Sequence, residues 1–267
     1  MSRAGDARPA HGATDARGVQ LELPRPPQRI VSLVPSSTET LFALGLGERV
    51  VGRTRYCVHP APEVQALPEV GGTKALAWER LAALQPDLIV ANAEENKPEM
   101  WPRLEAIAPL WVAFPREVSD ALHDLRDMAR VCHVPAAGEA LAVRIEEARS
   151  AARAASAGRS FRYAYLIWHA PWMAVNHDTF IARMLAEVGG VNVFAAHDER
   201  YPSVTLDELV AADPERVLLS SEPFDFTETH RAELGPLAER ARFVDGELCS
   251  WHGARMEAAF AYLAALG

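Results

Sequence analysis

Two acidic residues occupy matching places in a motif that this chain carries twice. Trp78-Glu79-Arg80-Leu81-Ala82-Ala83-Leu84-Gln85-Pro86-Asp87-Leu88-Ile89-Val90 reappears in outline as Leu206-Asp207-Glu208-Leu209-Val210-Ala211-Ala212-Asp213-Pro214-Glu215-Arg216-Val217-Leu218-Leu219. Glu79 stands 86 − 79 = 7 residues before its proline, and Asp207 stands 214 − 207 = 7 before its own. An acid in a helix first turn is favoured by the positive dipole end, by well under about 1 kcal/mol. The equal offset adds a second use, because exposed charges steer and register a partner more than they add affinity. The pair therefore suggests a partner that grips two similar half-molecules.

Other chemistry is sparse. His59, His169 and His252 could approach a metal, but no pair has helical i, i+4 spacing with a third ligand, so no dedicated metal site is expected. The chain has no Gly-rich phosphate loop, nucleophile elbow, zinc-ligand run or kinase set. Gly45-Leu46-Gly47 lacks the spacing of a dinucleotide fingerprint and reads as a helix stop. Cys57, Cys132 and Cys249 are far apart and odd in number, which fits free thiols. The expectation is a binding protein without intrinsic cofactor, not an enzyme.

The elements that must position these residues alternate. Arg29–Val34 reads as a strand, and Ser36 with Glu39 as a capping box for a helix ending at Gly45. Arg49–Gly52 is a second strand. The helix near Trp78–Leu84 feeds the strand Asp87–Ala91, and Leu110–Phe114 is the next strand. Ser119–Val131 and Ala136–Ala157 are helical, and a helix of about 20 residues spans about 30 Å. The β/α pattern then resumes with strand Arg162–Trp168, helix Asp178–Val188, and a helix from Thr205 capped by Glu208. Strands Arg216–Ser220 and Arg242–Asp245 follow, then a helix over Trp251–Ala265. This order predicts two Rossmann-like α/β lobes joined by one long backbone helix, with a ligand cleft between the lobes. The expected division is a disordered tail over 1–20, an N-terminal lobe over 21–118, a linking helical segment over 119–158 and a C-terminal lobe over 159–267. A continuous helix at the joint resists bending, so small lobe movement is expected.

Bulk properties exclude some classes. The 267 residues carry a formal charge of −9, which argues against nucleic acid. No apolar run approaches the roughly 20 residues of a membrane helix, and a monomer is expected. Met1–Gly18 has no apolar signal core and no lipid-attachment cysteine follows it. The chain is thus cytoplasmic if Met1 is the native start, and periplasmic or extracytoplasmic if a signal has been removed.

Arg29-Ile-Val-Ser-Leu-Val-Pro-Ser-Ser-Thr-Glu-Thr-Leu41, with Gly45-Leu-Gly47, Val50-Val-Gly52 and Pro86-Asp-Leu-Ile-Val90, resembles the helical-backbone substrate-binding proteins of ABC importers. These serve cobalamin, iron-siderophores and haem, and the likeness is greatest to the cobalamin-binding members. The resemblance implies that Tyr56 lies against a corrinoid and that Tyr201 is a second cleft aromatic. It implies that Glu79 and Asp207 dock arginines of the transporter's membrane subunits. Thr73 stands where cobalamin binders can carry a cleft tryptophan, a departure that leaves one wall of the aromatic cage missing.

A corrinoid or haem is flat and partly apolar, so its receptor needs broad aromatic surface and a few hydrogen bonds at the rim. Tyr56, Trp172 and Tyr201 are the candidate surface, whereas Trp168, ending an apolar strand, reads as core. Asn92 and Asn96 are candidate polar contacts. His169 and His252 are candidate ligand contacts or axial donors. Arg255, beside Trp251-His252, could hold an anionic iron chelate. Three readings follow: a corrinoid-binding protein delivering to an ABC importer, the same fold carrying an iron-siderophore or haem, and a cytosolic corrinoid or metal-chelate handling protein without a transporter.

Overall fold

The computed structural model describes residues 11–266; residues 1–10 of the expected tail lie outside them. Residues 11–20, also read as tail, are ordered into a hairpin. Strand β1 (Gly12–Thr14) pairs antiparallel with β2 (Gln20–Glu22). The buried Asp15 holds it: its carboxylate accepts from the backbone N–H of Arg17 at 2.9 Å and from the Arg17 guanidinium at 2.7 Å. A buried carboxylate needs such partners, and a charge-rich sequence without apolar periodicity gives no sign of them.

The chain divides into two compact units. The first comprises Met1–Pro115, Ser119–Arg144 and His252–Ala254, and the second Arg116–Val118, Ile145–Trp251 and Arg255–Gly267. The first unit holds β3 (Ile30–Ser32), α1 (Pro35–Ala43), β4 (Val50–Arg53), a small ribbon of β5 (Gly71–Gly72) and β6 (Ala75–Leu76), α2 (Trp78–Ala83), β7 (Leu88–Asn92), α3 (Trp101–Glu105) and β8 (Leu110–Ala113). Its four-stranded sheet has the order β4-β3-β7-β8 and is parallel throughout. Every residue of β7 and β8 is buried, as expected of parallel strands covered on both faces. The hairpin is fastened to β8, where Ala16 N–H donates to Val112 O at 2.9 Å.

Helix α1 starts differently from the expected capping box. Val34 is its N-cap and offers no side-chain bond, and Pro35 fills the first turn, where a missing N–H costs nothing. Ser36 is thereby released for another partner. Helices α4 (Val118–Val131) and α5 (Pro135–Ala155) follow, and the boundary between the two units falls inside α5, between Arg144 and Ile145.

The second unit is built on β9 (Phe161–Trp168), β10 (Trp172–Ala174), α6 (Phe180–Ala186), β11 (Gly190–Asn192), β12 (Ser203–Val204), α7 (Leu206–Ala212), β13 (Arg216–Ser220), α8 (Glu228–Glu233), β14 (Ala241–Val244), α9 (Gly246–Ser250) and α10 (Met256–Leu266). Its sheet runs β12-β10-β9-β13-β14, with β11 beside β9. Strands β9, β11, β13 and β14 are parallel, and β10 and β12 complete an antiparallel edge. The single helix expected over Trp251–Ala265 begins only at Met256, because Trp251-His252 is an extended step and Gly253–Arg255 a short turn. Gly253 follows at φ +79, and a Cβ there would collide with Thr40 Oγ1, so only glycine fits.

The repeated motif folds alike in both units. Helices α2 and α7 each end at a left-handed residue before the proline, Gln85 at φ 47 and Asp213 at φ 46. The Arg29 guanidinium donates to Leu84 O at 2.6 Å, and that of Arg162 donates to Ala212 O at 2.7 Å. Both bonds satisfy carbonyls that a helix end leaves open. Asp87 accepts from the backbone N–H groups of Gln28 and Arg29, both at 2.8 Å, and Glu215 accepts from that of Arg162 at 2.8 Å.

Candidate functional site

In each unit the candidate residues gather where parallel strands end, the edge at which open α/β sheets bind ligands. In the first unit Tyr56 follows β4, Ser36 follows β3, and Asn92 closes β7. Tyr56 is 55% exposed, and its ring lies over Gly72, where a Cβ would come within 3.3 Å of it. That close approach is open to the ring because Gly72 has no side chain. Thr73 is buried, and its carbonyl accepts from Asn96 Nδ2 at 2.8 Å.

Beneath Tyr56's edge of the sheet lies a buried polar group. His252 Nε2 is 3.1 Å from Ser36 Oγ and 3.1 Å from Asn92 Nδ2. An amide nitrogen only donates, so His252 Nε2 accepts, and the neutral ring carries its proton on Nδ1. Burial pushes this imidazole down to about 4, because a charged ring would lose its hydration there. The other end of the Asn92 amide accepts from Glu94 N–H at 2.7 Å, and Asn96 Oδ1 accepts from Asn92 N–H at 3.0 Å. Asn92, Asn96 and His252, expected to offer polar contacts to a ligand, are instead bonded among themselves and to Ser36 and Thr73. These bonds link the ends of β3 and β7 near the residues that follow β4.

The second unit presents a different surface. Trp168 and His169 close β9, Trp172 opens β10, and Phe224, Phe226 and His230 follow β13. Trp168 is 41% exposed, not core as its apolar strand suggested, because β13 pairs with β9 only as far as Leu166. It meets Phe224 edge-on at 5.3 Å between ring centroids. Trp172 stacks parallel to Phe226 at 6.0 Å and takes the edge of His169 at 4.5 Å. His169 Nε2 donates to Glu233 Oε2 at 2.8 Å. Tyr201 is half-buried just before β12, with the Arg200 guanidinium 5.6 Å from its ring centre.

The remaining candidates are placed as follows. Glu79 and Asp207 are exposed in the first turns of α2 and α7. Beside Glu79 is an open surface hollow of about 360 Å³, where Arg103 lies 4.3 Å over Trp78. Arg255 pairs with Glu247 at 3.1 Å and stacks on Trp251, an arrangement that differs from a guanidinium turned toward an anionic chelate. All three cysteines are buried and free, and burial pushes Cys132 and Cys249 up to about 12, so neither is a ready nucleophile. Among the described residues no three acids, histidines or cysteines are grouped to hold a bare metal ion, and no helix is long and apolar enough to cross a membrane. Sequence reading missed Ser36, Trp168, Phe224 and His230 as members of these clusters. For Ser36, Trp168 and Phe224 the signal that could have found them is position at or just after the end of a parallel strand; His230, inside α8, carries no such signal.

Comparison with known proteins agrees with this architecture. A vitamin B12-binding protein of Vibrio parahaemolyticus is 27% identical over 198 residues, spanning 73% of this chain and 71% of that protein. The periplasmic vitamin B12-binding protein of Vibrio cholerae shares the fold with a TM-score of 0.78 at 21% identity, covering 90% of this chain and 96% of the other. The periplasmic haem-binding protein RhuT from Roseiflexus sp. RS-1 aligns with a TM-score of 0.81 at 25% identity, covering 89% and 97%. Residues 30–236 match the periplasmic binding protein family as a whole. With most of its length inside that match and two α/β units of the same fold, the chain belongs to the periplasmic binding protein family.

Proposed function

We propose that this protein captures cobalamin or a related corrinoid outside the cytoplasm and delivers it to an ABC importer, without catalysing a reaction itself. The observation that carries this reading is the accessible aromatic surface at the strand ends, in a chain similar to vitamin B12-binding proteins. A corrin ring is broad and partly apolar, and aromatic side chains bury much area at little entropy cost. Tyr56 supplies such a face in the first unit, and Trp172 and Tyr201 supply it in the second, with His169 at the rim. His252 and Asn92 act from below by fixing the first unit's strand ends. Glu79 and Asp207, exposed at equivalent helix starts, dock arginines of the importer's membrane subunits.

Titrating the protein with cyanocobalamin under tryptophan fluorescence tests the ligand. Saturable quenching is expected, because Trp172 lies within the proposed contact surface and Trp168 stands in the same ring cluster. Quenching by hemin with none by cyanocobalamin supports the haem reading, which the likeness to a haem-binding protein also favours. Reversing both charges, with Glu79→Lys and Asp207→Lys, is expected to abolish uptake through the transporter while leaving cyanocobalamin affinity unchanged. Weakened cyanocobalamin binding in that double variant would place the acids in the ligand site or the fold instead.

A further inference from the structure

Two histidines in the second unit's aromatic cluster stand side by side with complementary free nitrogens. The rings of His169 and His230 are 4.8 Å apart between centroids. His169 Nε2 faces the Glu233 carboxylate at 2.8 Å. A carboxylate only accepts, so in the neutral ring Nε2 carries the proton and Nδ1 keeps its lone pair. His230 is in the opposite state. Its Nδ1 accepts from Thr227 N–H at 2.9 Å in the capping box of α8, which leaves the proton on Nε2. Neither His169 Nδ1 nor His230 Nε2 has a partner among the described residues. The pair therefore offers one acceptor and one donor, on half-buried rings beside Trp168, Trp172 and Phe224.

We infer that His169 and His230 together read a primary carboxamide on the rim of the bound macrocycle, and so select amide-rimmed corrinoids over carboxylate-rimmed tetrapyrroles. A carboxamide is the small planar group that answers both nitrogens, its N–H donating to His169 Nδ1 and its carbonyl accepting from His230 Nε2. A carboxylate has no proton to donate and sets a negative oxygen against a lone pair. The surrounding charge adds to this discrimination, since residues 222–233 include Glu222, Asp225, Glu228 and Glu233 against Arg231 alone. Neighbouring aromatic rings shield the two bonds from water and strengthen them. The inference rests on the corrinoid reading above and adds what fixes the choice within it.

The test compares dicyanocobinamide with dicyanocobyrinic acid, which share ring and metal but carry amides and carboxylates respectively. Calorimetric titration of the full chain is expected to show the amide form bound at least about tenfold more tightly, as a site built to hydrogen-bond rejects an analogue that cannot. The protein's net negative charge also disfavours the acid, so the decisive measurement is the variant. His169→Phe keeps a ring against Trp172 but neither nitrogen, and is expected to erase most of the preference by weakening the amide form alone. His230→Asn, which retains a side-chain acceptor for Thr227 N–H, is expected to do the same. Equal binding of both compounds by the unmodified chain, or an equal loss for both in His169→Phe, overturns the inference and leaves the corrinoid reading standing. Failure of dicyanocobinamide and cyanocobalamin alike to bind overturns both.

Discussion

The two copies of the helix–proline–acid–strand motif agree at one end and differ at the other. Both finish on a left-handed residue before proline, with an arginine closing the helix carbonyls from the start of the strand with which the motif's own strand pairs, Arg29 just before β3 and Arg162 in β9. Their starts do not match. In α7, Thr205 Oγ1 accepts from Glu208 N–H at 3.2 Å and the Glu208 carboxylate accepts from Thr205 N–H at 2.7 Å, whereas α2 begins at Ala77 with no side-chain cap. The shared end is the turn that aims the following strand into its sheet. The strand ends diverge further: those of the first unit are tied by a buried Ser36–His252–Asn92 group beside the lone exposed ring of Tyr56, and those of the second carry a cluster of mutually packed rings. The lesson is that the repeated frame fixes where a site can be, and the loops after the strands decide what it can touch.

Three measurements sharpen or break that comparison. The largest effect concerns the frame. Leu81 and Leu209 are equivalent and both fully buried, so Leu81→Ala and Leu209→Ala are each expected to cost about 3 kcal/mol in urea unfolding. Costs differing by more than about 2 kcal/mol would show that the two copies are not packed alike.

The next concerns the first unit's buried imidazole. The pKa of His252 falls from the usual 6.5 to about 4 in the folded protein. Between these values the unfolded chain binds more protons, so His252 contributes full stability above about pH 6.5 and loses it as pH falls toward 4. Asp124 is shifted the other way, up to about 7, by burial, so the unmodified protein alone shows the sum of two opposing slopes. The difference between it and His252→Asn isolates the imidazole. The destabilisation caused by His252→Asn is expected to shrink by about 3 kcal/mol between pH 7 and pH 4. A pH-independent difference would mean that the imidazole is hydrated.

The smallest effect tests the unequal starts. Thr205→Ala removes the capping box of α7 and is expected to cost about 1 kcal/mol. Ala77→Ser in α2 is expected to regain part of that amount, since the site there lacks a side-chain cap. An unchanged urea midpoint in both variants would remove the distinction between the two helix starts.

Much of the frame was legible in the sequence. Periodic apolar runs and Pro-acid turns marked β3, β7, β9 and β13, and the Thr205–Glu208 box marked the start of α7, because these features depend on neighbours within a few residues. The same reasoning failed where a distant residue competed. Ser36 and Glu39 read as a capping box, but Ser36 bonds to His252, 216 positions away. Trp251–Ala265 read as one helix, but Thr40 demands a glycine turn at 253. Trp168 read as interior, and whether a strand's last residue is covered depends on how far its neighbour runs.

By itself the sequence determined two α/β halves, a repeated junction with one acid in each, and aromatic residues suited to a flat ligand, all through local pattern. Only the tertiary structure decided which of those residues remain available. It joined Asn92 and His252 into one buried hydrogen-bonded group, and it set His169 beside His230 with one free acceptor and one free donor. Hydrogen-bond partnership between residues far apart in the chain is a property of their positions in space, and periodicity carries no information about it.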